Sequence, residues 1–343
     1  MTKIAINGFG RIGRLFFRQA SESKNIEIVA INDLGNIENL AYLLQYDTVY
    51  RKFAKSVEIA ENALIVDGKK IRVLQEKDPT KLPWGRLGID IVVEATGAFT
   101  SYEKARVHIA AGAKRVVITA PAKDADSNPS TGGGKTILMG VNEEAMSTCA
   151  ITSNASCTTN SVAAVIQILN EHIGVKKAVL NTTHGYTATQ SLVDGPTGSQ
   201  DVRRGRAAAQ NIIPSSTGAA IAVTRAIPKL QEKFDGIALR VPVVAGSIAD
   251  ITFLAKRKTT VKEVNSVLSR ASRSRQWKGI LQVTKDPLVS SDILGQPYAA
   301  IVDLNLTRVV DGDLVKVLSW YDNEWGYVAT LVRHVEVAAK TIK

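Results

Sequence analysis

The sequence predicts an α/β fold in two parts: an N-terminal domain on a mainly parallel sheet, and an α+β domain with a mixed or antiparallel sheet. Three observations carry this expectation. Short β-branched runs alternate with helix-like segments through the first third of the chain. From about Val175 the strands lengthen and alternate in polarity. The 343 residues suffice for about two domains, each with its own core.

Residues 3–7 read as a strand, 14–21 as a helix, and 26–32 as a second strand ending at Asp33. Residues 89–95 and 115–119 are further β-branched runs, with a helical segment at 102–111 between them. Strand and helix in alternation imply right-handed crossovers and parallel pairing. Residues 161–169 form an apolar helical run. In the second part, 237–244, 248–254 and 314–321 read as strands, 260–271 as a helix, and 325–340 as a closing helix. The stretch 123–136, rich in Ser, Pro, Asp and Gly, reads as a surface loop. Its run Gly132-Gly133-Gly134-Lys135-Thr136 is not a P-loop, because that motif needs glycine where Pro129 stands.

Hydrophobic residues make up 45% and charged residues 22%, as in ordinary globular proteins. No apolar run approaches the roughly 20 residues that span a membrane. The first residues enter a strand pattern directly, without the zones of a signal peptide. Two cysteines, Cys149 and Cys157, and four histidines make neither a disulfide framework nor a zinc site, so no metal is expected. The expected location is a reducing cytoplasm. A net charge of +11 suits anionic metabolites or a nucleic-acid surface. The basic residues are dispersed, without interleaved aromatics, so nucleic acid is not indicated.

Gly8, Gly10 and Gly13 form a GxGxxG pattern between a strand and a helix. The first glycine permits a tight turn, the second a close approach of backbone to a pyrophosphate, and the third close helix–strand packing. Asp33 follows Gly13 by twenty residues, where a carboxylate receives the adenosine ribose hydroxyls. Strand, loop, helix, strand and acid in that order define a Rossmann-type dinucleotide site. A carboxylate at 33 repels a 2′-phosphate, which favours NAD over NADP.

Cys157 lies in Ser153-Asn154-Ala155-Ser156-Cys157-Thr158-Thr159-Asn160, just before the apolar helical run. A helix N-terminus favours an anion and lowers a thiol's pKa, and the thiolate is the reactive form. A small cysteine packed at a helix start is the alternative, and the polar neighbours argue against it. A thiolate and a nicotinamide together suggest aldehyde oxidation through a thioester, which needs a base. His108, His172 and His334 lie in or at the ends of helical segments and read as surface or helix-packing residues. His184 ends a strand-like run, where either a functional or a structural histidine fits.

The chain resembles phosphorylating glyceraldehyde-3-phosphate dehydrogenases over essentially its whole length. The resemblance rests on residues 6–14, 153–160, His184-Gly185-Tyr186-Thr187, 203–208, 216–220, Arg240-Val241-Pro242 and 319–327. It implies that Cys157 is the nucleophile and His184 its base. It implies that Ser156, Thr158, Thr217 and Gly218 receive the attacking inorganic phosphate. Thr187, Arg204 and Arg240 match positions that hold the substrate phosphate, with Arg240 serving both sites. For the cofactor, Arg11 and Ile12 match the pyrophosphate loop. Lys77, Thr96, Gly97 and Thr119 match the adenine and nicotinamide-ribose regions, and Asn323 the residue that orients the carboxamide.

The resemblance implies oxidative phosphorylation of glyceraldehyde 3-phosphate, and a homotetramer in which residues 186–206 reach a neighbouring subunit's NAD. The implied domains are 1–152 for NAD and 153–322 for catalysis, with 323–343 packed back onto the first. Erythrose-4-phosphate dehydrogenase is the nearest enzymatic alternative, and an added RNA-binding role of the basic surface a second. Ser161 stands where many members carry a second cysteine, and Ala188 and Thr189 depart from the common run after the histidine.

Overall fold

The computed structural model describes residues 1–127 and 133–342. Residues 128–132, including Gly132 of the expected surface loop, lie outside the described residues. The chain divides into two compact units. One comprises Met1–Leu138, Asn142–Ala155 and Leu331–Lys343; the other comprises Met139–Val141 and Ser156–Thr330.

In the first unit, β1 (Thr2–Asn7) leads through the glycine loop to α1 (Arg11–Ala20), then β2 (Ile26–Asn32) and α2 (Ile37–Gln45). A meander follows: β3 (Val57–Ala60), β4 (Ala63–Val66) and β5 (Lys69–Leu74). After α3 (Trp84–Leu87) come β6 (Ile91–Glu94), α4 (Tyr102–Ala105), α5 (Val107–Ala110), β7 (Arg115–Ile118), β8 (Gly134–Thr136) and β9 (Ile151–Ser153). The nine strands found among the described residues lie in the order β3-β4-β5-β2-β1-β6-β7-β9-β8. From β5 to β8 every pair is parallel, and β3 and β4 add an antiparallel edge. Ile4, Ala5 and Ile6 of β1 are fully buried, as expected for a parallel strand with both faces covered.

The helix expected at 102–111 is two short helices. Arg106 N–H is shared between the carbonyls of Tyr102 and Glu103, a tighter turn that breaks the α-helical ladder. His108 on α5 and His334 are both fully buried, so neither is a surface residue. From Leu331 onward, α9 (Trp325–Ala339) belongs to the first unit. There His334 contacts Thr152 Oγ1 through Nε2 at 2.7 Å and Asn154 Oδ1 through Nδ1 at 3.2 Å. Ser23 donates to Glu336, and Arg115 to Thr341.

The second unit contains α6 (Cys157–His172), β10 (Val175–Gly185), β11 (Ile213–Ser216), α7 (Ala219–Ala226), β12 (Phe234–Val241), β13 (Ser247–Ala255) and α8 (Val261–Ser272). It continues with β14 (Leu281–Thr284), β15 (Ala300–Asp303), β16 (Arg308–Val310) and β17 (Leu314–Tyr321). The sheet order is β11-β12-β10-β13-β17-β15-β14, with β16 on β17. Pairing is mixed: β10 runs parallel to β12 and antiparallel to β13. Residues 237–244 were expected as a strand, and β12 instead ends before Pro242, which has no N–H to continue a ladder. α6 is buried over most of its surface: Val162, Ala163, Val165, Ile166, Ile168 and Leu169 are completely buried, while Gln167 and Glu171 pair on its exposed side. The fold class is the one expected: a Rossmann-type sheet plus an α+β unit with a mixed sheet.

Burial, followed by the Arg115 charge, lowers the His334 pKa from 6.5 to about 3. The unfolded chain therefore binds a proton between pH 6.5 and 3 that the folded chain refuses. This contribution is complete above pH 6.5 and is lost as the pH falls toward 3. Replacing His334 by Asn should shrink the loss of unfolding free energy between pH 7 and pH 5 by about 2 kcal/mol, measured by urea denaturation at each pH.

Candidate active site

In the first unit, the turn after β1 is built from its glycines. Gly8 has φ +95°, and a Cβ there would stand 2.6 Å from Thr96 N. A Cβ on Gly13 would lie 2.1 Å from the Gly8 carbonyl oxygen, so helix and strand meet at this point only through glycine. Beside Gly10 the space is open. Gly10 is the N-cap of α1, and Arg11 and Ile12 begin the helix. Asp33, one residue past β2, accepts from Phe9 N at 2.6 Å and from Gly35 N at 2.8 Å. Each carboxylate oxygen retains a further lone pair for a ribose hydroxyl.

Gly8, Gly10, Asp33, Leu34, Lys77 and Thr96 help line a cavity of about 470 Å³ that also includes Pro79 and Phe99. Apolar walls with a carboxylate at the second strand end fit an adenine nucleoside, and the open helix N-terminus fits a pyrophosphate. The Arg11 guanidinium is engaged with Asp47 and lies 5.3 Å from the Tyr50 ring, so its backbone rather than its side chain faces the loop's task. Gly97, φ +75°, continues the β6 turn. Thr119 follows β7, and its N–H donates to the Glu94 carbonyl. Asn323 lies in the other unit, where Oδ1 accepts from Gly246 N and Ser247 Oγ, both at 3.0 Å.

In the second unit, Ser156 caps α6: its Oγ accepts from Thr159 N at 3.1 Å. Cys157 is therefore the first helical residue. Ala155, two residues before it, has φ +52°, in the left-handed region that costs a residue with a Cβ about 1 kcal/mol. Cys157 Sγ stands 3.3 Å from His184 Nε2. His184 and Arg240 are register partners across the parallel pair β10–β12, which is why the guanidinium reaches the imidazole. Arg240 NH1 is 2.5 Å from His184 Nδ1 and 3.2 Å from the Gly185 carbonyl. Nδ1 is also 2.6 Å from that carbonyl.

Two tautomers compete at this point. If Arg240 donates to Nδ1, the imidazole proton faces the sulfur. If Nδ1–H donates to Gly185, Nε2 is open to take the thiol proton.

The expected lowering of the thiol pKa is reversed. Burial pushes the Cys157 thiol up, against the opposing Arg240 charge and the hydrogen bonds of Thr158. Burial and then Arg240 push His184 down to about 3. The helix-terminus argument counted the local field and not the loss of water. The resting pair is thus a thiol and a neutral imidazole.

Thr187 Oγ1 contacts Thr189 Oγ1 at 3.0 Å, and Arg204 reaches Thr189 at 3.4 Å and Ser215 at 3.0 Å. Thr187, Arg204 and the departure at position 189 therefore form one polar cluster. Thr217 Oγ1 accepts from Ala219 N at 3.2 Å, and Gly218 is the N-cap of α7. The Thr158 hydroxyl, expected to face phosphate, is buried and lies 2.8 Å from Tyr321 OH. Tyr321 OH also contacts Thr182 Oγ1 at 2.7 Å, and its ring stands edge-on to His184 at 5.9 Å. Sequence reasoning gave Tyr321 no task, although it lies within the quoted 319–327 motif.

A dinucleotide loop on a parallel sheet, accompanied by a cysteine–histidine pair, defines the class of NAD-dependent oxidoreductases. A family model described as glyceraldehyde 3-phosphate dehydrogenase, NAD binding domain, matches residues 2–102, and one described as the C-terminal domain of the same enzyme matches 156–323. Similar proteins include the glyceraldehyde-3-phosphate dehydrogenase of Thermotoga maritima, 50% identical over 99% of this chain and 100% of the relative. Those of Streptomyces coelicolor (48%, covering 96% of each chain) and Clostridium pasteurianum (46%, covering 100% of each) are also similar. The chain belongs to the glyceraldehyde-3-phosphate dehydrogenase family, and its cofactor is NAD.

Replacing Tyr321 by Phe leaves the buried hydroxyls of Thr158 and Thr182 without their shared partner. A loss of about 1–3 kcal/mol in unfolding free energy is expected, with slower iodoacetamide alkylation of Cys157 at neutral pH. Replacing Asp33 by Ala removes the charge that opposes a 2′-phosphate. The NAD-over-NADP ratio of kcat/KM should then fall by about tenfold or more, a change of about 1.4 kcal/mol.

Proposed function

We propose that this chain catalyses the reversible, NAD-dependent oxidative phosphorylation of D-glyceraldehyde 3-phosphate to 1,3-bisphosphoglycerate, as a cytoplasmic homotetramer serving glycolysis and gluconeogenesis. The observation that carries this reading is the 3.3 Å approach of Cys157 Sγ to His184 Nε2, with Arg240 against the same imidazole.

The thiol proton passes to Nε2 as sulfur adds to the aldehyde carbon, and the new alkoxide takes that proton to give a thiohemiacetal on Cys157. When the carbon loses hydride, Nε2 removes the hydroxyl proton, the carbonyl re-forms, and a thioester remains. The bound dinucleotide supplies the two-electron acceptor for this step. A phosphate oxygen then attacks the thioester, the C–S bond breaks, and the Cys157 thiolate leaves.

Arg240 gives the sequence of events its logic. A substrate phosphate drawn to Arg240, Arg204 and Thr187 competes for the guanidinium, leaving Nδ1–H to donate to Gly185 and Nε2 free as base. Ser156, Thr158, Thr217 and Gly218 are the proposed group for inorganic phosphate, where hydroxyls and backbone donors suit an oxyanion. The Thr158 hydroxyl is held by Tyr321, so Thr158 contributes there through its backbone N–H at the helix start. Gly8, Gly10, Arg11, Ile12, Gly13, Asp33, Lys77, Thr96, Gly97, Thr119 and Asn323 are the proposed cofactor residues. For self-association, Val179, Ile221 and Leu314 are exposed apolar side chains lining one depression of about 730 Å³, the kind of patch that marks an interface. No helix among the described residues is long and apolar enough to cross a membrane.

Steady-state reduction of NAD should require both glyceraldehyde 3-phosphate and inorganic phosphate, and Cys157→Ser should lower kcat by roughly 10⁴-fold or more. A higher kcat/KM for erythrose 4-phosphate would displace the triose as substrate. Turnover unaffected by omitting phosphate would overturn the phosphorylating step.

A further inference from the structure

Under the floor of the dinucleotide cavity lies a buried acid that the chemistry above does not use. Glu94, the last residue of β6, is 2% exposed, and His108 on α5 is fully buried beside it. Their neighbours dictate their protonation. Trp84 Nε1 donates to His108 Nδ1 at 3.2 Å. An indole N–H can only donate, so Nδ1 carries a lone pair and the ring proton sits on Nε2. Nε2 is 3.0 Å from Glu94 Oε2 and donates to it.

From the other side, the Glu76 backbone orients Asn32: its N–H donates to Oδ1 at 2.9 Å, and its carbonyl accepts from Nδ2 at 3.0 Å. Asn32 Nδ2 then donates to Asn7 Oδ1 at 2.7 Å, which turns Asn7 Nδ2 onto Glu94 Oε2 at 2.6 Å. Thr96 N donates to Oε1 at 2.8 Å. The Thr96 hydroxyl accepts from Ala98 N at 3.0 Å and gives its own proton to Oε1. Every partner donates, so Glu94 is a carboxylate. Among the described residues no lysine or arginine pairs with it.

The position of this charge is as specific as its state. Asn7 and Glu94 are register partners at the C-terminal ends of β1 and β6. Between these strands the sheet order reverses, with β2 on one side and β6 on the other. Ligands of open α/β sheets lie outside the strand ends at such a switch point. Asp33 after β2 marks the adenosine side and the glycine loop the pyrophosphate, so the nicotinamide half lies toward β6. We infer that Glu94 is a fixed negative charge beneath the nicotinamide half, which makes the site prefer the oxidised, cationic cofactor to the reduced, neutral one. Asn7, Asn32, Trp84 and His108 are positioning residues that hold the carboxylate in place without neutralising it. In a buried setting the field is weakened little by solvent.

The inference rests on NAD occupying this cavity, and ADP-ribose, which lacks the nicotinamide, separates the two claims. Binding is measured by calorimetry for ADP-ribose, NAD⁺ and NADH on the wild type, Glu94→Gln and His108→Gln. A glutamine at 108 can accept from Trp84 and donate to Glu94, and so keeps the charge. Glu94→Gln should weaken NAD⁺ about tenfold relative to NADH, a difference of about 1.4 kcal/mol, and leave ADP-ribose unchanged, whereas His108→Gln should keep the wild-type ratio. Equal weakening of both redox forms, or an unchanged ratio, overturns the inference. Failure of the wild type to bind ADP-ribose overturns the cofactor reading instead. Should Glu94→Gln not fold, the wild type alone decides. It should bind NAD⁺ more tightly than NADH, with the same ratio at about 0.05 M and about 0.5 M salt, because buried charges are screened little. A preference for NADH, or one that disappears with salt, overturns the inference.

Discussion

The 3.3 Å between Cys157 Sγ and His184 Nε2 is the distance that the second unit is organised to hold. One atom belongs to the first turn of a helix, the other to the end of a strand, and nothing local joins them. The helix is anchored because the apolar residues from Val162 to Leu169 sink it in the core. The strand is anchored because β10 is interior, paired with β12 and β13 along nearly its whole length. Tyr321 then ties the two together, since its hydroxyl contacts Thr158 at the helix start and Thr182 two residues before the histidine. Each of these anchors is a packing or hydrogen-bond constraint on the same pair of atoms.

Burial gives that geometry a chemical character. It disfavours the thiolate and the imidazolium alike, so the ionised pair is not the resting state. Arg240 opposes burial at the sulfur and reinforces it at the imidazole. Its position therefore separates two readiness states of one histidine, and an anion that draws it away favours the basic one. A site arranged like this keeps the partly buried Cys157 as a thiol until substrate arrives.

What the sequence disclosed follows from distance along the chain. The glycine loop, Asp33 and the Cys157 helix start are written in contiguous residues, and the structure has them in the expected elements. Pro242 is legible too, but the β-branched pattern runs past it to Val244, and only the ladder shows that β12 stops at Val241. The remainder depends on partners far apart in sequence. Arg240 reaches His184 only through strand register. His108 looked like a helix-packing residue because its acid lies on β6 and its indole on α3. The sign of the thiol shift could not be read from a helix terminus, because dehydration comes from everything packed around it. Family resemblance supplied candidate roles for Thr187, Arg204 and Asn323 that spacing alone could not.

From the Trp84 indole and from the Glu76 N–H, hydrogen-bond donation passes residue to residue toward Glu94, with the one return bond from Asn32 to the Glu76 carbonyl. Each asparagine or histidine in that chain must present a donor on one side and an acceptor on the other, and reversing one reverses the demand on the next. Such a set resists change one residue at a time: a substitution at Asn7 or His108 is tolerated only if its replacement preserves the same polarity or its neighbours change with it. Variation at these buried positions should therefore come in linked groups.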